Sequence, residues 1–175
     1  MQPIDSRRLT YQPLTPDDWP FFLQLYQDRQ VMAFVADPRP LDTIRAAFDA
    51  RLPTWQPGAS HWLCLLMRDK ESGSPVGLTG YLHHDADLAE VGFLLDPAWQ
   101  GIGYAHESLR ALCEFAFGSG GVRKLTATVT AGNLASRKVL EKCGFQLEGT
   151  LRESWFLDGR WQDDWLFGLL KHEYR

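Results

Sequence analysis

Glu90-Val91-Gly92-Phe93-Leu94-Leu95-Asp96-Pro97-Ala98-Trp99-Gln100-Gly101-Ile102-Gly103-Tyr104-Ala105 passes from an apolar strand, through a turn marked by Asp-Pro, into a glycine-bearing loop and the start of a helix. The strand is predicted over Leu88 to Leu95. The helix is predicted from about Gly103 to about Phe117, because Ala105, Leu109, Leu112, Cys113 and Ala116 fall on one stripe at offsets of three and four. Glycines let the backbone of such a loop approach a ligand closely, and the free N–H groups of the helix start carry a partial positive charge. That arrangement suits a pyrophosphate. A plain helix-entry turn is the other reading of a lone G-x-G. The loop lacks the third glycine and the downstream acidic residue of a dinucleotide-binding unit, so a Rossmann domain fits it poorly.

Outward from that segment, the period of two continues upstream. Val76 to His83 and His61 to Arg68 read as strands, separated by the polar turn Asp69 to Pro75. His83-His84-Asp85-Ala86-Asp87 invites a metal reading, but its spacing matches no familiar zinc motif, and it reads instead as the end of a strand and an exposed hairpin turn. Farther back lie helices over Leu41 to Leu52, stopped by Pro53, and Thr15 to about Asp28, where Thr15 can cap and Pro16 suits the first position. The strand Arg7 to Leu14 opens the chain, with Leu9, Tyr11 and Pro13 on one face. Downstream, Gly118-Ser119-Gly120-Gly121 ends the central helix. Lys124 to Thr130 is then strand, Asn133 to Cys143 helix and Phe145 to Trp155 strand, and Asp158-Gly159 turns the chain into a last strand, Trp161 to Leu170. The order β-α-α-β-β-β-α-β-α-β-β predicts an α/β (α+β) domain around a mixed sheet, one domain over 1–175.

Hydrophobic residues make up 45% of the 175, enough for a folded core, and no apolar run is long enough to span a membrane. The start lacks the apolar stretch of a secretory signal, so a cytoplasmic location is expected. Eighteen basic against twenty-two acidic residues give a net charge of −4 with no basic tract, which argues against nucleic acid as a partner. Cys64, Cys113 and Cys143 are odd in number and far apart, which suggests neither disulfides nor zinc; all three read as core residues.

The run from Glu90 to Ala105 resembles the strand–loop–helix of the GNAT N-acetyltransferase superfamily, whose pyrophosphate loop Q/R-x-x-G-x-G/A is matched by Gln100, Gly103 and Ala105. Asn133-Leu134-Ala135-Ser136 through Gly144-Phe145 is similar to the second motif of the same family. Arg8 to Thr15, Glu148 to Glu153, Asp158-Gly159 and Asp163-Asp164 resemble its RimJ/RimL-type branch, the ribosomal-protein N-terminal acetyltransferases. The resemblance runs from about Arg7 to Leu170. It implies a mostly antiparallel sheet of six to seven strands, flanked by about four helices and split by a V-shaped gap between the strand of Gly92 to Leu95 and that of Lys124 to Thr130.

What the resemblance implies about chemistry can be stated residue by residue. Backbone groups of Phe93, Leu94 and Leu95 would bind the pantetheine amides of acetyl-CoA, since an unpaired sheet edge needs partners. N–H groups of Gly101, Ile102, Gly103, Tyr104 and Ala105, with Gln100, would take the pyrophosphate. Asn133 would bond the pantetheine arm from across the gap, and Arg137 and Lys138 could reach the nucleotide phosphates or lie on a solvated helix face. Attack by an amine on the thioester calls for a base, for which Glu90 is the candidate, and for a donor to the leaving thiolate. Many members carry a tyrosine seven residues after the motif Asn; that position is Leu140 here, so Ser136 is the candidate donor. Trp155 and Trp161, on a hairpin flanking the gap, are candidates for the acceptor pocket. The expected acceptor is a protein N-terminal α-amine. The alternatives are a small-molecule amine (polyamine, amino acid or aminoglycoside) and a non-catalytic acyl-CoA-binding role. A homodimer through the aromatic hairpin is plausible on the same grounds, and no metal or membrane is expected.

Overall fold

The computed structural model describes residues 2–85 and 87–175. One mixed sheet of seven strands runs in the order β1-β2-β3-β4-β5-β7-β6, where β1 is Leu9–Pro13, β2 Leu63–Asp69, β3 Pro75–Asp85, β4 Leu88–Leu95, β5 Lys124–Thr130, β6 Gln146–Leu157 and β7 Arg160–Leu170. Five helices flank it: α1 (Trp19–Gln27), α2 (Arg29–Met32), α3 (Leu41–Asp49), α4 (Tyr104–Phe117) and α5 (Leu134–Lys142). The architecture is the one expected, with one more helix: α2 is a single turn, started by the Asp28 carboxylate accepting from the N–H groups of Gln30 and Val31.

Alternation along the strands sends side chains to two cores. Ala89, Val91, Leu125 and Ala127 join Leu109, Leu112 and Ala116 of α4 on one face. Leu66, Leu78 and Leu94 meet Phe22, Leu25, Ile44 and Phe48 of α1 and α3 on the other. Each fully buried Leu, Ile or Phe among them contributes about 1.5–3 kcal/mol.

The feature that positions the site lies between β4 and β5. They form the one parallel pair among the described residues, and they pair only from Leu88↔Lys124 to Glu90↔Thr126. Beyond Glu90 the strands part, while β4 stays paired to β3 up to Gly77↔Leu95 and β5 stays paired to β7 up to Thr130↔Asp164. The V-shaped gap opens immediately after Glu90.

Several boundaries differ from the sequence reading. Thr15 to Asp18 forms a tight turn before α1, in which the Asp18 carboxylate accepts from the Thr15 N–H at 2.8 Å. α3 stops at Asp49, because the chain tightens into three-residue bonding at Arg51 and Leu52 ahead of Pro53. Pro13 follows Leu9 and Tyr11 on one face of β1 as expected, but at the end of the strand it is exposed. β3 extends past the expected end at His83 to Asp85, so His84 stands on a strand and not in a turn; Ala86 lies outside the described residues. β6 continues to Leu157 before the turn at Asp158 and Gly159, whose φ values of 54° and 75° are those of a tight hairpin.

Candidate active site

Asp96 N–H donates to the Val76 carbonyl at 2.9 Å, which makes that pair a hydrogen-bonded one. In an antiparallel ladder such pairs alternate. The backbone groups of Gly92 and Leu94 therefore face β3, and those of Phe93 and Leu95 face the gap. The Leu95 carbonyl is already used: the Gln100 side-chain amide donates to it at 3.0 Å. That corrects the expectation for both residues. Gln100 closes the loop onto β4 instead of turning its amide outward, and Leu95 keeps only its N–H for a ligand, while Phe93 keeps both groups.

A cavity of about 420 Å³ fills the gap and passes from one face of the sheet to the other. Leu140, Ser136 and Asn133 line it from α5, and Phe93, Leu94 and Glu90 from β4. On the opposite side it is bounded by Tyr26 of α1, Phe34, Val35, Arg39, Arg51 and Trp62, and by Trp155 and Asp164 of the last hairpin. Position 92 is close to the opposite wall: a Cβ there would lie 3.3 Å from the Trp62 ring, which would have to yield by a few tenths of an ångström. The side-chain amide oxygen of Asn133 caps α5 by accepting from the Ser136 N–H at 3.2 Å, so the cap is made by Asn133 and the Ser136 hydroxyl is not needed for it.

Glu90 stands at the fork of the gap, on the face of α1 and α3. Its carboxylate lies 2.6 Å from Nε2 of His84. Sequence reasoning missed His84, although a signal existed: His84 lies two residues beyond Leu82, the cross-strand partner of Glu90, which makes it a diagonal neighbour on the same face. Tyr26, Arg39 and Arg51 were also missed; they come from distant elements and carry no local signal.

Other candidates lie elsewhere. Trp161 is 59% exposed and packs edge-on against Phe156 at 5.4 Å, away from the cavity, whereas Trp155 lines it. Arg137 is engaged by Glu141 at 2.8 Å and lies over the Trp165 ring at 4.8 Å, so its guanidinium is held on the helix face and not extended toward a phosphate. Two phenols on neighbouring elements, those of Tyr81 and Tyr104, do not line the cavity: Tyr81 is fully buried, and the Tyr104 hydroxyl donates to Asp69. Cys113 and Cys143 are core residues as expected, but Cys64 is half-buried and borders the cavity. Burial pushes its thiol up to about 12, which removes it as a thiolate nucleophile at neutral pH.

The glycine loop lies beyond the end of β4, outside the cavity proper. Gly101 and Gly103 have φ of 78° and 89°, and Gly103 precedes the first turn of α4. The loop is anchored from β1. Arg8 donates to the Ile102 carbonyl at 2.9 Å, pairs with Glu107 at 2.7 Å and lies 4.3 Å from the centre of the Tyr104 ring. Of Tyr104 and Ala105, both packed inward, only the backbone can face a ligand. Burial raises the Glu107 carboxyl, but hydrogen bonds from the Arg8 N–H, the Ser6 hydroxyl and the Arg8 guanidinium outweigh it, and the net value lies below the ordinary one. A depressed folded-state value means stability that is present above the unfolded value and lost as pH falls through the folded one. Glu107→Gln is expected to lower stability by about 1–2 kcal/mol at pH 7 and to flatten the acid limb of the curve below about pH 4. Melting curves from pH 3 to 7 check this; an acid limb as steep as the parent's would remove Glu107 as its source.

Comparison with known proteins agrees with this geometry. A family model described as an acetyltransferase (GNAT) domain matches residues 8–146. An uncharacterized N-acetyltransferase, p20, of Bacillus licheniformis is 28% identical over 99% of both chains. The ribosomal-protein-serine acetyltransferase of Escherichia coli is 35% identical over 43% of this chain and 42% of its own. The spermidine N-acetyltransferase of Vibrio cholerae, solved with CoA and spermine, superposes with a TM-score of 0.83 at 23% identity over 95% of this chain and 98% of its own. With a matched family model over most of its length, and the splayed strands and glycine loop in place, the chain belongs to the GNAT acetyltransferase family and is an acetyl-CoA-dependent N-acetyltransferase.

Proposed function

We propose that this enzyme acetylates the primary amine of a small molecule. The observation that carries the reading is a roof over the acceptor side. The segment after α2 is fastened to the last hairpin by Trp155 Nε1 donating to the Val35 carbonyl at 3.2 Å and by the Asp158 N–H donating to Asp37 at 3.0 Å. Phe34 reaches across to Gly132, where a Cβ would be 3.5 Å from its ring. A cavity of about 420 Å³ shared with a pantetheine arm leaves room for a compact amine. The second reading is a protein N-terminal α-amine, which the RimJ/RimL-like motifs and the partial likeness to the ribosomal-protein-serine acetyltransferase support. A screen following CoA release tests it: small amines should exceed peptides beginning with Ala or Ser in kcat/KM, and the reverse order would assign the enzyme to the N-terminal branch.

Acetyl-CoA supplies a thioester carbonyl activated toward an amine. The residues present fit it: the N–H groups of Phe93 and Leu95 and the Phe93 carbonyl face the gap, and Asn133 retains its amide NH2 as a donor. Past the end of β4, the free N–H groups from Gly101 to Ala105 would face the pyrophosphate. Glu90, at the fork, accepts the proton of the incoming ammonium, and His84 beside it is exposed and carries that proton to solvent. Ser136 donates a hydrogen bond to the sulfur as the C–S bond breaks and the new C–N bond forms. Once the C–N bond has formed, the nitrogen loses its second proton, which reaches the thiolate through water, so that one proton leaves to solvent and one completes the CoA thiol.

Trp155 shapes the acceptor half. Trp155→Ala is expected to raise acceptor KM about tenfold, the cost of roughly 1.4 kcal/mol of lost contact, while the Kd for acetyl-CoA changes less than twofold. Parallel titrations of the two ligands check it; equal losses for both would return Trp155 to a purely structural role.

The remaining expectations stand within the same proposal: one domain, in the cytoplasm. No helix among the described residues is long and apolar enough to cross a membrane. Phe156, Trp161 and Leu147 are exposed apolar side chains on one face of the β6–β7 hairpin, which ends the sheet, and they support a homodimer. Sedimentation equilibrium reads it, and a monomer at high concentration removes it.

A further inference from the structure

Two guanidinium groups on the acceptor side of the cavity have no part in the acetyl transfer described above. Arg51, just past α3, donates one N–H to the Ala47 carbonyl at 2.7 Å and lies 5.8 Å from the centre of the Trp62 ring; Arg39 lies on the segment that roofs the cavity. Neither has a carboxylate within ion-pair distance among the described residues, although the chain has more acidic than basic side chains and pairs most of its other cavity-independent arginines. Both lie close enough to Tyr26 for their charges to act on its phenol, against the burial that raises it. Arg39 and Arg51 thus converge on Tyr26 in the cavity that Glu90 also lines.

We infer that the acceptor amine also carries a carboxylate, held by Arg39 and Arg51, so that the substrate class is an amino-acid-like zwitterion with an apolar body. The inference rests on the small-molecule reading above and narrows it. The charge pattern of the cavity is that of the ligand reversed: an ammonium is placed at Glu90 and the thioester, and an acid group at the paired arginines. Guanidinium donors match the planar geometry of a carboxylate; the half-buried Arg51, without an ion pair among the described residues, gains most from such a partner, and the exposed Arg39 at the rim adds a second. A polyamine with one nitrogen at Glu90 would bring its other cationic nitrogens toward two fixed positive charges, an arrangement that costs free energy and offers no compensating acceptor. Between the ends the walls are Phe34, Val35, Trp62 and Trp155, which suit an apolar side chain.

The test uses the full chain with acetyl-CoA and follows CoA release with the common L-amino acids, each paired with its own carboxamide, and with spermidine. The amide keeps the amine and the side chain and removes only the negative charge. The expected result is a kcat/KM for the best acid about 10–100-fold above that of its amide, the value of one or two charge-assisted hydrogen bonds, with spermidine below both. Arg51→Gln and Arg39→Gln should each collapse the acid-to-amide ratio toward one. Because both substrates are read on the same preparation, a smaller folded fraction leaves the ratio unchanged. Spermidine or the carboxamides exceeding the acids, or a ratio untouched in both variants, overturns the inference while acetyl transfer itself stands. No CoA release with any of these amines overturns the small-molecule reading and this inference with it.

Discussion

In Gly103→Asp protein, acetyl-CoA is expected to produce no thermal shift. For the parent, a ligand at about 100 times its Kd stabilises the folded state by about 2.7 kcal/mol, which for a chain of this size raises Tm by about 5–10 °C. Three properties of position 103 remove that effect. Its φ of 89° belongs to the left-handed region, where any side chain is strained. It directly precedes α4, so a carboxylate there adds negative charge at the unpaired N–H groups that the pyrophosphate needs. Finally, a Cβ at 103 would lie 3.2 Å from an Arg8 guanidinium nitrogen, so the new carboxylate pairs with Arg8 and draws it from the Ile102 carbonyl that it now holds. Gly103→Ala separates strain from charge: it should lower the melting temperature of the free protein but retain part of the ligand shift. NAD should shift neither protein. A full acetyl-CoA shift in Gly103→Asp would show that the pyrophosphate lies elsewhere.

How far the sequence speaks for itself can be judged from particular residues. β5 coincides with the expected strand, Lys124 to Thr130, because glycine-rich turns bound it on both sides and its alternation is clean. α4 begins one residue after the expected start for the same reason. The gap is legible only through resemblance: nothing in Glu90 or Thr126 says that pairing stops there. Two site assignments that the structure corrects were nevertheless readable. A two-residue turn at Asp158-Gly159 pairs Leu157 with Arg160 and hence Phe156 with Trp161. Trp155 and Phe156 point to opposite faces, so Trp155 and Trp161 could not both face the cavity. Arg137 and Glu141 are four apart on one helix, a spacing that pairs them before any ligand arrives. The convergence of Tyr26, Arg39 and Arg51 was not readable. It depends on how α1, α3 and the segment between α2 and α3 cross the sheet, a tertiary arrangement with no periodic signature.

Ser136→Ala is expected to lower kcat by about 10–1000-fold while leaving the Kd for acetyl-CoA nearly unchanged, the signature of an interaction made chiefly in the transition state. The position that often carries a tyrosine in this family is Leu140, fully buried at the cavity wall, so no phenol approaches from that site. Ser136 lies one turn earlier, half-buried, lining the same cavity in the first turn of α5. There the partial positive charge of the helix start favours a developing thiolate and strengthens a hydroxyl donor directed at it. The competing role for this serine, capping the helix, is filled by Asn133, whose side-chain Oδ1 accepts the Ser136 N–H. Alanine at 136 therefore removes the hydroxyl with little loss of helix stability, and an unchanged melting temperature should accompany the fall in kcat. Ser136→Cys keeps a weak donor at the same site and should recover part of the rate. Should Ser136→Ala turn over at the parent rate, the donor must be another group in the cavity. Tyr81 and Tyr104 are excluded by their positions in the core, which leaves Tyr26, the one phenol that lines the cavity among the described residues, and water. Tyr26→Phe then separates these two, because a direct phenol donor loses its proton in that variant while a water donor does not.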